Sequence, residues 1–151
     1  MIRRPLIALS LLLSFAPALA ATTDIPLDPA VIARLPTVEA KGTSHGHELR
    51  CEGVSLAALL RASGAMPETP LRGTQQLSRA VLVTARDGYR AVFSLGELDP
   101  SLGANDVVLT RHCNGAALNA DDGPWRLIAP KESRPARWVR QVESIRVVDL
   151  P

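Results

Sequence analysis

The positions of this 151-residue chain whose side chains offer distinctive chemistry are three histidines, two cysteines and one basic run. His45 and His47 form a His-x-His pair in a polar stretch. Two imidazoles at that spacing can each lend a ring nitrogen to a metal ion. No usual third and fourth ligands stand nearby, so a solvated loop is the competing reading. His112 adjoins Cys113 at an expected strand end, where a half-buried polar role competes with ligation. Cys51 and Cys113 belong to no CxxC and to no zinc-type spacing. In an oxidising compartment two cysteines of one small domain often pair, and two separate buried thiols are the alternative. The basic run is Lys131, Arg134, Arg137 and Arg140. Arginines at the start of a helix can grip a phosphate bidentately while backbone N–H groups assist. The same run also reads as a solvated face answered by Glu132 and Glu143. No nucleophile elbow, phosphate-binding loop or dinucleotide glycine fingerprint is present. No local motif supports a Ser–His–Asp triad.

These residues must be positioned by a succession of short elements. Pro26, Pro29 and Pro36 mark residues 21–36 as an extended lead-in, with one helical turn starting at Asp28 and Pro29 and running through Arg34. Residues 37–40 and 48–51 read as strands, with a polar, flexible stretch over 41–47 between them. Ser55 caps a helix that buries Leu56, Leu59 and Leu60 and stops at Gly64. A Pro- and Gly-bearing loop over 66–76 follows. Residues 80–85 and 89–93 form a hairpin about Arg86, Asp87 and Gly88. Ser94 and Glu97 make a capping box over a short helix ended by Asp99 and Pro100. Strands are expected over 107–110, 125–129 and 145–148, with turns at Asn114 and Gly115 and at Asp122, Gly123 and Pro124. After a polar loop over 130–135, a short helix is expected over 136–142. Trp125 and Trp138 read as packing residues. Strands and short helices alternate without a βαβ rhythm, so the expected class is α+β, a single mixed-sheet domain with short helices.

The chain's beginning and its composition narrow the setting. Arg3 and Arg4, the apolar run over 6–15 and the A-x-A site at Ala18 and Ala20 together read as a secretory signal cleaved after Ala20. That run is too short to span a bilayer as a helix, and no later stretch approaches the required length. The expected organisation is therefore a signal peptide over 1–20, the lead-in over 21–36 and one domain over 37–151, periplasmic or secreted, with no membrane span after cleavage. Two of the 17 basic residues fall inside the signal, so the remainder balances the 15 acidic residues. No basic stripe of the kind that binds nucleic acid or anionic lipid is present.

Four stretches, in this order, resemble the molybdopterin-binding domain of the sulfite oxidase family, in a small exported bacterial form. Residues 51–60 (CEGVSLAALL) are similar to the family's G-V-x-L-x-x-L-L segment. Asp87, Gly88 and Tyr89, continuing to Phe93, Leu95 and Leu98, are similar to its D-G-Y strand and following helix. Residues 123–130 (GPWRLIAP) are similar to its G-x-P-x-R-L-x-x-P strand, and Arg137 and Trp138, continuing to Val148, to its K-W-hydrophobic ending. The likeness covers residues 37–149. It implies a sulfite-oxidase-like molybdopterin-binding fold and a pocket for the pyranopterin of the molybdenum cofactor. Arg134 and Arg137 match the positions that hold the pterin phosphate in the family, and Arg126 matches a residue that ties its strand into the fold.

The chain departs from the family at the metal. Active members bind molybdenum through a cysteine thiolate well before the G-V-x-L segment, in a stretch that is shortened here, and Cys51 directly precedes that segment instead. The general secretory route also exports an unfolded chain, without a cofactor inserted in the cytoplasm. The resemblance and its departure together imply a domain without molybdenum catalysis that binds a small anionic ligand or an envelope protein partner. Two other readings are a molybdenum-dependent periplasmic oxidoreductase using Cys51, and an envelope protein-interaction module whose sheet edge meets its partner.

Overall fold

A computed structural model describes residues 21–150. The expected signal peptide over 1–20 lies outside the described residues. The strands are β1 (Thr22–Ile25), β2 (Thr37–Ser44), β3 (His47–Ser55), β4 (Arg79–Ala85), β5 (Arg90–Ser94), β6 (Val108–Cys113), β7 (Ala116–Ala117), β8 (Arg126–Ile128) and β9 (Val142–Asp149). The helices are α1 (Pro29–Ile32), α2 (Leu56–Ala62), α3 (Thr74–Leu77) and α4 (Leu95–Leu98), with one 3-10 turn over Pro135–Arg137. The α+β class is as expected. The expected single mixed sheet is instead two antiparallel sheets, one ordered β1-β9-β4-β5 and one ordered β2-β3-β6-β7, with β8 also on β6. Short hairpins make β2–β3, β4–β5 and β6–β7 antiparallel, since a parallel neighbour needs a long crossover connection, while β1–β9, β4–β9, β3–β6 and β6–β8 pair segments distant in the chain.

Period-two burial builds the core. Val81, Val83 and Ala85 of β4, Ala91 and Phe93 of β5, and Ile145 and Val147 of β9 point inward, with less buried residues between them. Val54, Leu109 and Leu127 contribute from the second sheet, and Leu56, Leu59 and Leu60 of α2 complete one continuous core. The α2 helix begins and ends as its sequence dictates. Ser55 Oγ accepts from Ala58 N–H, and Gly64 adopts φ +74° beyond the last turn. At α4 the capping box is reciprocal: Glu97 N–H donates to Ser94 Oγ and Ser94 N–H donates to Glu97 Oε2, both at 3.0 Å. Asp28 caps α1 by accepting from Ala30 N–H.

Four segments differ from expectation. Residues 41–47 are hairpin rather than flexible loop. The β2 strand runs on to Ser44, which pairs with His47 across a two-residue turn. His45 and Gly46 both hold positive φ, +51° and +79°, as the type I′ connection demands. Residues 136–142 are not a helix beyond the one 3-10 turn. Leu127 N–H donates to Val139 O and Val142 N–H donates to Trp125 O, so the backbone after that turn runs beside β8 and its hydrogen bonds go there instead. The expected loop over 66–76 leads into one helical turn, α3. The lead-in carries β1, which pairs with β9 from Thr22↔Val148 to Ile25↔Ile145 and closes one edge of the first sheet.

Candidate functional site

Cys51 and Cys113 are bonded to each other. They are direct cross-strand partners on β3 and β6, close enough for a bridge without backbone movement. The chain has two cysteines and both sulfurs are used, so no thiolate is available to a soft metal. The register that opposes them holds through Glu52↔His112 and then shifts at a bulge between Glu52 and Gly53. Gly53 is needed there: a Cβ would stand 2.2 Å from the Leu109 carbonyl oxygen. Buried Thr110 fills the irregularity, its hydroxyl accepting from His112 N–H at 3.0 Å.

Three turns converge at one end of the molecule and enclose a cleft of about 220 Å³. His45 comes from the β2–β3 turn, Asp87 and Tyr89 from the β4–β5 connection, and Trp138 and Arg140 from the segment leading to β9. Tyr89 closes an Asx turn by donating its N–H to Asp87 Oδ1 at 2.9 Å, and its hydroxyl donates to the Ala136 carbonyl. Arg86 N–H donates to Gln141 O at 3.0 Å, fastening the hairpin tip to the same segment. Trp138 is anchored beneath, with Nε1–H donating to Ala129 O at 2.9 Å. Its ring lies over Gly42 so closely that a Cβ there would stand 2.4 Å from it. The K-W-like ending, the D-G-Y-like stretch and the first histidine of the His-x-His pair thus meet around one cavity. His45 and His47 are exposed on either side of Gly46, and among the described residues no group of three or more His, Cys, Asp or Glu side chains is placed to hold a metal ion.

The basic run is split by the fold. Arg137 turns onto Phe93, its guanidinium carbon 4.3 Å from the ring centroid. Its Nη1–H donates to Val92 O at 2.7 Å, and Nη2 meets Glu97 at 3.1 Å and Glu132 at 2.5 Å. Burial alone would lower its pKa; hydrogen bonds and charge from Glu132 and Glu97 outweigh that and move it upward. Lys131 pairs with Asp106 at 2.9 Å and donates to Ala104 O. Arg140 reaches only to 4.0 Å from Asp122. Arg134 is exposed and has no ion pair among the described residues. Of the two arginines expected to grip a phosphate, one is therefore spent on protein acceptors and one faces solvent. Glu132 answers the cluster, as one reading of the run expected; among the described residues Glu143 makes no ion pair with it. Arg126 is buried in β8 and pairs with Asp122 at 3.0 Å; burial lowers its pKa against the opposing pull of Asp122.

Sequence reasoning missed Arg111. Its guanidinium lies 5.1 Å from the centroid of the Trp125 ring, because β6 pairs with β8 up to Thr110↔Arg126 and the next residues on each strand then meet. A cross-strand neighbour of that kind leaves no periodic trace in the chain. No protein-family model matches the chain, and no curated protein matches it.

Proposed function

We propose that this chain is an exported, non-catalytic binding domain of the sulfite-oxidase-like molybdopterin-binding fold, taking a small anionic ligand in the cleft between the three turns. The observation that carries the reading is the Cys51–Cys113 bond. It commits the two cysteine sulfurs of the chain to each other, so the residues present do not fit a molybdenum centre of the thiolate type, and no redox step is assigned to the domain. What supports ligand binding is the cleft itself, where Arg140 and His45 line the wall and Arg134 stands exposed one residue before lining Pro135. A guanidinium without a protein acceptor keeps its donors for a phosphate or carboxylate. Arg137 acts as a positioning residue, since its ties to Val92, Glu97 and Glu132 hold the turn that presents Arg134.

The test is elemental analysis of the protein isolated from the envelope of its native host, as wild type and as Cys51→Ser, together with a phosphate titration followed by NMR. The expected outcome is negligible molybdenum in both proteins. Shifts at His45 and Arg140 should saturate with phosphate in the wild type and weaken about tenfold in Arg134→Gln, as loss of one charge-assisted contact implies. Stoichiometric molybdenum in the wild type would overturn the reading.

A further inference from the structure

A second cavity, sharing no lining residue with the cleft, lies where α1 crosses the second sheet. It has a volume of about 290 Å³, just below the usual range for drug-sized ligands. Its floor is apolar, built from Ile32, Val54, Leu109 and Trp125, all buried. Arg111, His112 and Glu52 line it as well. Among the described residues none of these three side chains makes an ion pair or a hydrogen bond. That sets Arg111 apart from Arg137. Both guanidinium groups lie against an aromatic ring, but the donors of Arg137 are taken by three acceptors and those of Arg111 by none. Stacking on Trp125 restricts the side chain without consuming its hydrogen bonds, which is the preorganised state of a carboxylate receptor. Glu52 lines the same cavity with its carboxylate equally unspent, and the two opposite charges do not pair with each other.

We propose that this groove binds a zwitterionic α-amino acid with a large apolar side chain. The ligand carboxylate takes the fork of Arg111, its ammonium faces Glu52, and its side chain covers the apolar floor. A simple anion satisfies Arg111 but is repelled by Glu52, and a simple cation meets the reverse. A zwitterion answers both while burying the apolar surface, which is the arrangement of a few placed polar groups over an apolar lining that small-molecule sites share.

The experiment is calorimetric titration of the whole exported domain with L-leucine and L-phenylalanine. 4-Methylpentanoate, which lacks the ammonium, and isoamylamine, which lacks the carboxylate, serve as comparison probes. Saturable binding of the amino acids is expected, with each comparison probe at least about tenfold weaker, the loss of one charge-assisted contact. Arg111→Gln should weaken leucine at least about tenfold, and Arg111→Lys should retain part of the affinity because charge survives without the fork. Glu52→Gln should weaken leucine while leaving 4-methylpentanoate unchanged or tighter. Arg72→Gln, at an exposed arginine remote in sequence from the groove, should leave binding intact. Near-UV circular dichroism verifies that each variant keeps its packing. The proposal is overturned if neither amino acid saturates the wild type by about 10 mM, if Arg111→Gln binds leucine as tightly as wild type, or if the two single-charge probes match the amino acids.

Discussion

Arg134 and Arg137 belong to one short turn, yet their guanidinium groups meet opposite circumstances. Arg137 is enclosed by Val92 O, Glu97, Glu132 and the Phe93 ring. Arg134 projects into solvent. Removing a charge from the first leaves two carboxylates facing each other across a partly buried gap, whereas removing it from the second disturbs nothing in the protein. Arg137→Gln should therefore lower unfolding free energy by about 2 kcal/mol, the scale of a hydrogen-bonded charge pair discounted for partial exposure. Arg134→Gln should stay within about 0.5 kcal/mol of wild type. Urea denaturation of the two variants measures the contrast. Equal losses would mean that Arg134 has a structural role the contacts do not reveal. Arginine identity and spacing are the same kind of information at both positions, so the sequence alone left them as an undivided pair. What separates them is which acceptors β5 and α4 bring within reach.

At the scale of elements, local chemistry that closes within a few residues was legible. The Ser55 cap, the Ser94 and Glu97 capping box, the hairpin about Gly88 and the turn at Asn114 and Gly115 all occur as their residue types require. Segments whose hydrogen bonds leave the neighbourhood were not legible. Residues 136–142 have helical spacing but take their partners from Trp125 and Leu127, and residues 41–47 are held by a long register with β3. Asp99, at the end of α4, shows how such a tie can be tested. Its buried carboxylate accepts from Ser101 Oγ at 2.6 Å, from Ser101 N–H at 2.7 Å and from Leu71 N–H at 3.0 Å, joining the loop after α2 to the end of α4. The Ser101 hydroxyl, then the Leu71 amide, hold its pKa below the ordinary value against the upward push of burial. The sign follows from that depression. The stabilisation is complete above about pH 4, where an unfolded aspartate is ionised, and is lost as pH falls through the lowered folded value. Asp99→Asn should lower stability near neutrality and flatten the acid limb below about pH 4, read from melting temperature against pH. An unchanged acid limb would remove Asp99 from this role.

For the whole molecule the decisive covalent fact is the bridge between Cys51 and Cys113, which spans a sequence separation of 62. Closing a loop of that length in the unfolded chain is worth about 4 kcal/mol in the chain-entropy account. It pins β3 to β6 beside the bulge, at the sheet that carries the Arg111 groove. The double substitution Cys51→Ser and Cys113→Ser should lower the urea midpoint by an amount equivalent to roughly 4 kcal/mol, and reductant should have the same effect on wild type while leaving the double variant unmoved. A reductant-insensitive wild type would mean that the two sheets and their shared core hold the fold without the bridge.

The sequence by itself determined the α+β class, the caps at Ser55 and Ser94, the turns about Gly88 and at Asn114 and Gly115, the apolar face of α2, and the absence of a CxxC or phosphate-loop motif. These depend on residue type and on contacts between near neighbours in the chain. Only the tertiary structure decided that the strands divide into two antiparallel sheets, that the cysteines meet, that Arg137 is spent while Arg134 is not, and that Arg111 lies on Trp125. Each of these depends on strand register between distant segments, and a shift of one residue in register turns every side chain to the opposite face.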